Sequence, residues 1–82
     1  MAENPKYIIF DNGLSDIPIL FPHFIEHSTI AAMFPTWKAE SAAFVNLYAE
    51  DGPQPYGNST SLNLTVGESD AKLIAKMLNV PK

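Results

Sequence analysis

An 82-residue chain without a cysteine has only an apolar core to hold it together. No disulfide, thiolate–zinc site or iron–sulfur cluster can staple it, and no thiolate can act as a nucleophile. At this length residues 1–82 are expected to form one small domain, with residues 1–5 flexible. Such a domain buries only about 60% of the surface its unfolded chain exposes, so its core has little to spare. The material for that core is present. Hydrophobic residues make up 46% of the chain and include one tryptophan, three tyrosines and five phenylalanines, too many for a disordered segment. A homodimer would add buried area to so small a unit. The lack of disulfides fits a reducing, cytoplasmic setting.

Five lysines and no arginine stand against nine acids, for a net charge of −4. The lysines are scattered at positions 6, 38, 72, 76 and 82. They form no cluster able to displace counterions from phosphates, and the arginine fork that reads guanine is missing. No nucleic-acid partner is therefore expected. The segment Met1-Ala2-Glu3-Asn4-Pro5-Lys6 lacks a basic stretch followed by an apolar one, and every apolar run is interrupted within a few residues. Neither a signal peptide nor a membrane contact is expected.

Local patterns place the elements. Lys6 to Phe10 is β-branched and aromatic, and it ends at Asp11-Asn12-Gly13, a turn signal. Ile17 to Phe21 follows as a second strand, and Pro18 within it demands a sheet edge or a later start. The pair reads as a hairpin with a longish loop. Between Pro22 and Phe34 two helices compete. A long one opens at Pro22; a short one, favoured by the capping habit of serine, is capped by Ser28 and runs from Thr29 to Phe34, with Ile30, Met33 and Phe34 inward. Ser41 to Ala49 alternates as a strand, and residues 50–55, with Gly52, Pro53 and Pro55, read as a turn. Leu62, Leu64 and Val66 then alternate with Ser61, Asn63 and Thr65, the pattern of a half-buried strand. Ser69 and Asp70 open a last helix with the stripe Leu73, Ile74, Met77 and Leu78, closed by Pro81. The expected fold class is α+β: a single domain in ββαββα order, with a four-stranded, mainly antiparallel sheet and two helices on one face.

His23-Phe24-Ile25-Glu26-His27 spells H-x-x-E-H and so resembles the inverted zinc peptidases, in which two histidines hold zinc and the glutamate activates its water. On one continuous helix the two imidazoles would face the same way. A catalytic zinc needs a third protein ligand, and the acids downstream are Glu40, Glu50, Asp51, Glu68 and Asp70, several of them in turns. No metal, cofactor or catalytic residue is assigned; a small zinc-dependent hydrolase over residues 23–27 stands as an alternative. Ile8-Ile9-Phe10-Asp11-Asn12-Gly13 resembles the first motif of haloacid-dehalogenase-like phosphatases without its second aspartate. None of Ser41, Ser59, Ser61 and Ser69 lies in a G-x-S-x-G or S-x-x-K frame.

The residues best suited to a contact surface are Trp37, Tyr56 and Asn58. Trp37 follows Pro35 in a loop, where it would either cover the core edge or mark an interface. Tyr56-Gly57-Asn58-Ser59 reads as a small polar platform at a hairpin end.

Ser41-Ala42-Ala43-Phe44-Val45, Tyr56-Gly57-Asn58-Ser59-Thr60-Ser61-Leu62 and Glu68-Ser69-Asp70-Ala71-Lys72-Leu73-Ile74 together resemble a pattern in short uncharacterised phage and prophage proteins. In those the middle segment reads Y-G-E-S-x-S-L; here Asn58 replaces the glutamate. The resemblance covers the C-terminal half and implies a viral or prophage origin and a cytoplasmic setting. The functional expectation is a non-enzymatic accessory protein acting on a protein partner, as a homodimer. A further alternative is an acidic inhibitor mimicking nucleic acid, which requires Glu50, Asp51, Glu68 and Asp70 on one surface.

Overall fold

The computed structural model describes residues 3–78. Met1 and Ala2, from the segment expected to be flexible, and Pro81, expected to close the last helix, lie outside them. Strands β1 (Lys6–Asp11) and β2 (Asp16–Phe21) form an antiparallel hairpin. Its turn is tight rather than long. The Asn12 amide donates to the Ser15 carbonyl at 3.2 Å, and Gly13 takes φ 94° at the position where such turns need a positive value. The Asp11 carboxylate accepts the Gly13 amide, and the Asn12 side chain accepts those of Leu14 and Ser15, so short polar side chains satisfy the turn.

The main sheet runs β2-β1-β3-β4, where β3 is Lys38–Asn46 and β4 is Gln54–Tyr56. All three pairings are antiparallel. Pro18 lies in β2 and Pro55 in β4, both edge strands, as a residue without an amide donor requires. In an antiparallel ladder the donors alternate between partner and open side, so each proline removes a donor from the free edge. Strand β3 begins before the expected Ser41, because Lys38 and Ala39 already pair with Asp11 and Phe10. It stops at Asn46, whose side chain takes the Tyr48 amide at 3.0 Å and turns the chain away. Glu40 is the extra residue of a bulge between the Ile9–Ser41 and Phe10–Ala39 pairs.

The fourth strand of the sheet is Gln54–Tyr56, not residues 61–66. The latter fold back as a separate ladder of two-residue strands, β5 (Asn58–Ser59) and β6 (Leu64–Thr65). Asn63, at φ 57°, turns the chain between them. The chain order is therefore ββαββββα. Leu62 and Leu64 still pack against the core, on the side their alternation predicts, although Val66 is exposed.

The helices lie on opposite faces of the sheet, not together on one face as expected. Tyr7 and Ile9 pack with Ala43, Val45 and Ile74 of α2 (Asp70–Leu78). Ile8 and Phe10 pack with Phe21, Ala42 and Ile30 of α1 (His27–Ala32). Successive residues of a strand face opposite sides, and all four residues from Tyr7 to Phe10 are buried. A central strand apolar on both faces needs a cover on each. The short-helix reading holds for α1, shifted toward its N-terminus. Met33 points out and Ser28 lies inside the helix rather than capping it.

At the start of α2, Asp70 is 3% exposed. Its carboxylate accepts hydrogen bonds from the Tyr7 hydroxyl (2.5 Å), the Ser41 hydroxyl (2.8 Å) and the Gly67 amide (2.7 Å). Burial, then the hydrogen bond to Asp70 and its negative charge, push the Tyr7 phenol far above its usual range, so it remains a donor. Gly67 approaches closely: a Cβ there would stand 2.8 Å from Asp70 Oδ1 and 3.2 Å from the Ser41 side chain. Replacing Asp70 with alanine strands two buried hydroxyls and is expected to cost about 3 kcal/mol in urea unfolding. Gly67→Ala is expected to cost about 1–3 kcal/mol in the same assay, through overpacking.

Candidate functional site

The H-x-x-E-H stretch does not form one helix. A turn closed by the Ile25 amide on the Pro22 carbonyl (3.1 Å) carries His23, which is exposed beside Phe24. His27 begins α1 and is buried. Its imidazole meets Phe21 and Phe44 edge-on, with ring centroids 5.4 and 6.2 Å away. Nε2 lies 3.0 Å from the Ala43 carbonyl, which can only accept, so that nitrogen carries the proton. Burial pulls the imidazole below its ordinary pKa and the Lys6 charge adds to the effect, while the Ala43 carbonyl, Glu26 and the Tyr7 backbone oppose it. His27 is thus a neutral core residue. Among the described residues no three His, Cys, Asp or Glu side chains gather as a metal set.

A row of side chains crosses the sheet beneath His27. Register pairs Phe21 with Lys6, Lys6 with Phe44, and Phe44 with Tyr56. The Lys6 ammonium lies 5.7 Å from the Phe44 ring centroid and donates to the Ile25 carbonyl at 3.0 Å. Tyr56 stacks on Phe44 at 5.7 Å and accepts a hydrogen bond from the Asn4 side chain. The Pro5 carbonyl accepts the Val45 amide, so part of the N-terminal segment is tied to β3. The β5–β6 turn closes over this row. Ser61 Oγ accepts the Ser28 amide at 3.2 Å and so supplies, from far along the chain, the cap that Ser28 was expected to give. The result is a polar pocket of about 210 Å³, walled by Lys6, Glu26, His27, Phe44 and residues 58–61.

Of the three contact residues read from sequence, Tyr56 and Asn58 come together near this pocket, with Asn58 exposed on its wall. Trp37 does not join them. It stacks on Phe34 (4.8 Å) and meets Phe10 edge-on (5.8 Å), at the far end of β3 and about 20 Å along the strand from Phe44. Lys6 escaped the sequence reading because an isolated lysine in a strand carries no motif. Its neighbours come from residues 25, 44 and 58–61.

Further concavities border α2, two of them also touching Asp16. One, of about 190 Å³, includes Asp16, Glu40, Ser41, Glu68 and Asp70. A hydrogen bond to Asp16, followed by desolvation and nearby negative charge, raises the Glu40 carboxyl above its ordinary pKa. Ser41 has no imidazole partner here. Its hydroxyl donates to Asp70, whereas His27 packs on the opposite face of the sheet. Burial of Asp70 also removes it from the acidic surface that nucleic-acid mimicry would need. The other is a groove of about 470 Å³ between β2 and α2, bordered by Ser15, Asp16, Pro18, Leu73, Lys76 and Met77.

No protein family, curated protein or solved structure matches the chain.

The buried imidazole makes stability depend on pH. The unfolded chain binds a proton near pH 6.5, where folded His27 still refuses it, so stability is complete above that value and falls as the pH drops below it. Urea midpoints measured from about pH 8 to about pH 5 should decline below about pH 6.5, and the decline should flatten in His27→Gln relative to the parent chain.

Proposed function

We propose that this chain is a non-enzymatic accessory protein of phage or prophage origin, that it works in the cytoplasm by contact with another protein, and that it does so as a homodimer joined across the α2–β2 groove. The supporting observation is the half-covered stripe of α2. Ile74 is fully buried and Leu73 partly so, but Met77 and Leu78, one turn on, are 43% and 40% exposed. The C-terminal half of the helix borders a groove with Ser15, Asp16 and Pro18 at the edge strand β2, beyond which, among the described residues, the sheet has no further strand to cover it. Leu14, 93% exposed, extends the apolar surface at the neighbouring hairpin tip.

A second copy suits this face. Glu68 precedes the helix, while Lys72 and Lys76 lie along it, all exposed. Two such helices packed antiparallel would set the acidic start of each beside the basic end of the other. Edge-to-edge strand pairing suits it less, because Pro18 and Pro55 each withdraw a donor from a free edge. The resemblance to short phage and prophage proteins supports the origin and the cytoplasmic setting. Among the described residues no helix is long and apolar enough to cross a membrane.

Sedimentation velocity from about 10 μM to about 1 mM tests the reading. A concentration-dependent dimer is expected, and Met77→Glu should return it to monomer with little change in melting temperature, since that side chain is already half in water. A parent chain that stays monomeric throughout would sink the proposal.

A further inference from the structure

We infer that the pocket above Phe44 is a binding site for a small oxyanion, a phosphate or a carboxylate. The pocket carries donors that no protein group among the described residues uses. Lys6 is partly buried, and its ammonium is held by two neutral partners, the Ile25 carbonyl and the Phe44 ring. An ammonium has three N–H donors, and one is used on that carbonyl. The hydroxyl oxygens of Ser59 and Ser61 already accept backbone amides, from Leu62 and Ser28, each at 3.2 Å. A hydroxyl whose oxygen is accepting still has its own proton to give. Thr60 and the Asn58 amide add donors on the same wall. The pocket therefore offers an ammonium and several hydroxyl and amide donors over an aromatic floor, and the complement of such a set is a compact, negatively charged acceptor.

The size agrees. About 210 Å³ holds roughly seven waters at their liquid volume of about 30 Å³ each, enough for an oxyanion with part of its hydration shell. His27 spends its Nε2 proton on Ala43 and lends the site no charge. Glu26 at the same pocket is the opposing charge, and it gives the site a signature: removing Lys6 and removing Glu26 must move affinity in opposite directions. The helix start contributes nothing to the count, because the Ser28 amide is already taken by Ser61.

The test is a titration of ¹⁵N-labelled protein, followed by amide shifts, with inorganic phosphate and, in a separate arm, acetate; sodium chloride at matched ionic strength is the control. Expected are saturable shifts confined to Lys6, residues 26–28 and residues 58–61, with a dissociation constant on the order of 1 mM for at least one of the two anions. The arm that saturates identifies the group. Glu26→Gln, a change at an exposed position, should tighten binding about threefold, and Lys6→Met should weaken it at least about tenfold. If Lys6→Met does not fold, Ser61→Ala and Glu26→Gln carry the comparison. Shifts no greater than those of chloride in both arms, or shifts scattered over the surface and indifferent to Glu26→Gln, would overturn the site.

Discussion

The Asp70 carboxylate is the contact on which the α2 side of this fold depends. A buried charge costs several kcal/mol unless its lone pairs are filled. Here the Tyr7 hydroxyl from the central strand, the Ser41 hydroxyl from its neighbour and the Gly67 amide from the approach to the helix fill them. Hydrogen bonds to a charged acceptor are worth about 1.5–3 kcal/mol each, so three of them offset a penalty of that size. The bonds also fix position. They hold the first turn of α2 against β1 and β3, and so bring Ile74 down on Tyr7, Ile9, Ala43 and Val45. Gly67 belongs to the same arrangement, because any side chain there would displace the carboxylate or Ser41.

The opposite face uses a different device. There α1 has no side-chain cap of its own, and the polar start of the helix is completed by Ser61 from the β5–β6 turn. His27 acts as a core residue, wedged between Phe21 and Phe44 and kept neutral by burial. Closing the turn over the Phe21–Lys6–Phe44–Tyr56 row leaves a donor-lined hollow rather than a packed interface. Two concavities thus arise where a helix stops covering the sheet: the groove past the first turn of α2, and the hollow beside the first turn of α1.

Much of the local structure was legible. The β-branched run at Lys6–Phe10, the edge assignment of Pro18, the short form of the first helix and the start of the last at Asp70 all follow from residue chemistry within a few positions, although, among the described residues, no Ser69 side-chain bond caps that last helix. The inward side of Leu62 and Leu64 was legible too, although the strand was not, because Asn63 adopts a left-handed conformation that alternation cannot report. The run Tyr7-Ile8-Ile9-Phe10 held the sign that both sheet faces are covered, since a half-exposed strand would have alternated. The candidate site was less legible. Tyr56 and Asn58 were within reach of local pattern, whereas Lys6 gains its setting only from the strands and turn packed around it.

The sequence alone determined that this chain is a small, disulfide-free α+β unit, that Pro18 marks a sheet edge, and that its last helix is amphipathic; Pro55, read as part of a turn, lies in the other edge strand. Those properties are written in composition and in spacings of a few residues. Tertiary structure alone decided which edge strand completes the sheet, that the helices take opposite faces, that His23 and His27 part company, and that Asp70 turns inward to join three segments. Each of these rests on groups many positions apart, such as Tyr7 with Asp70 or Ser28 with Ser61, whose meeting is set by packing and not by any local preference.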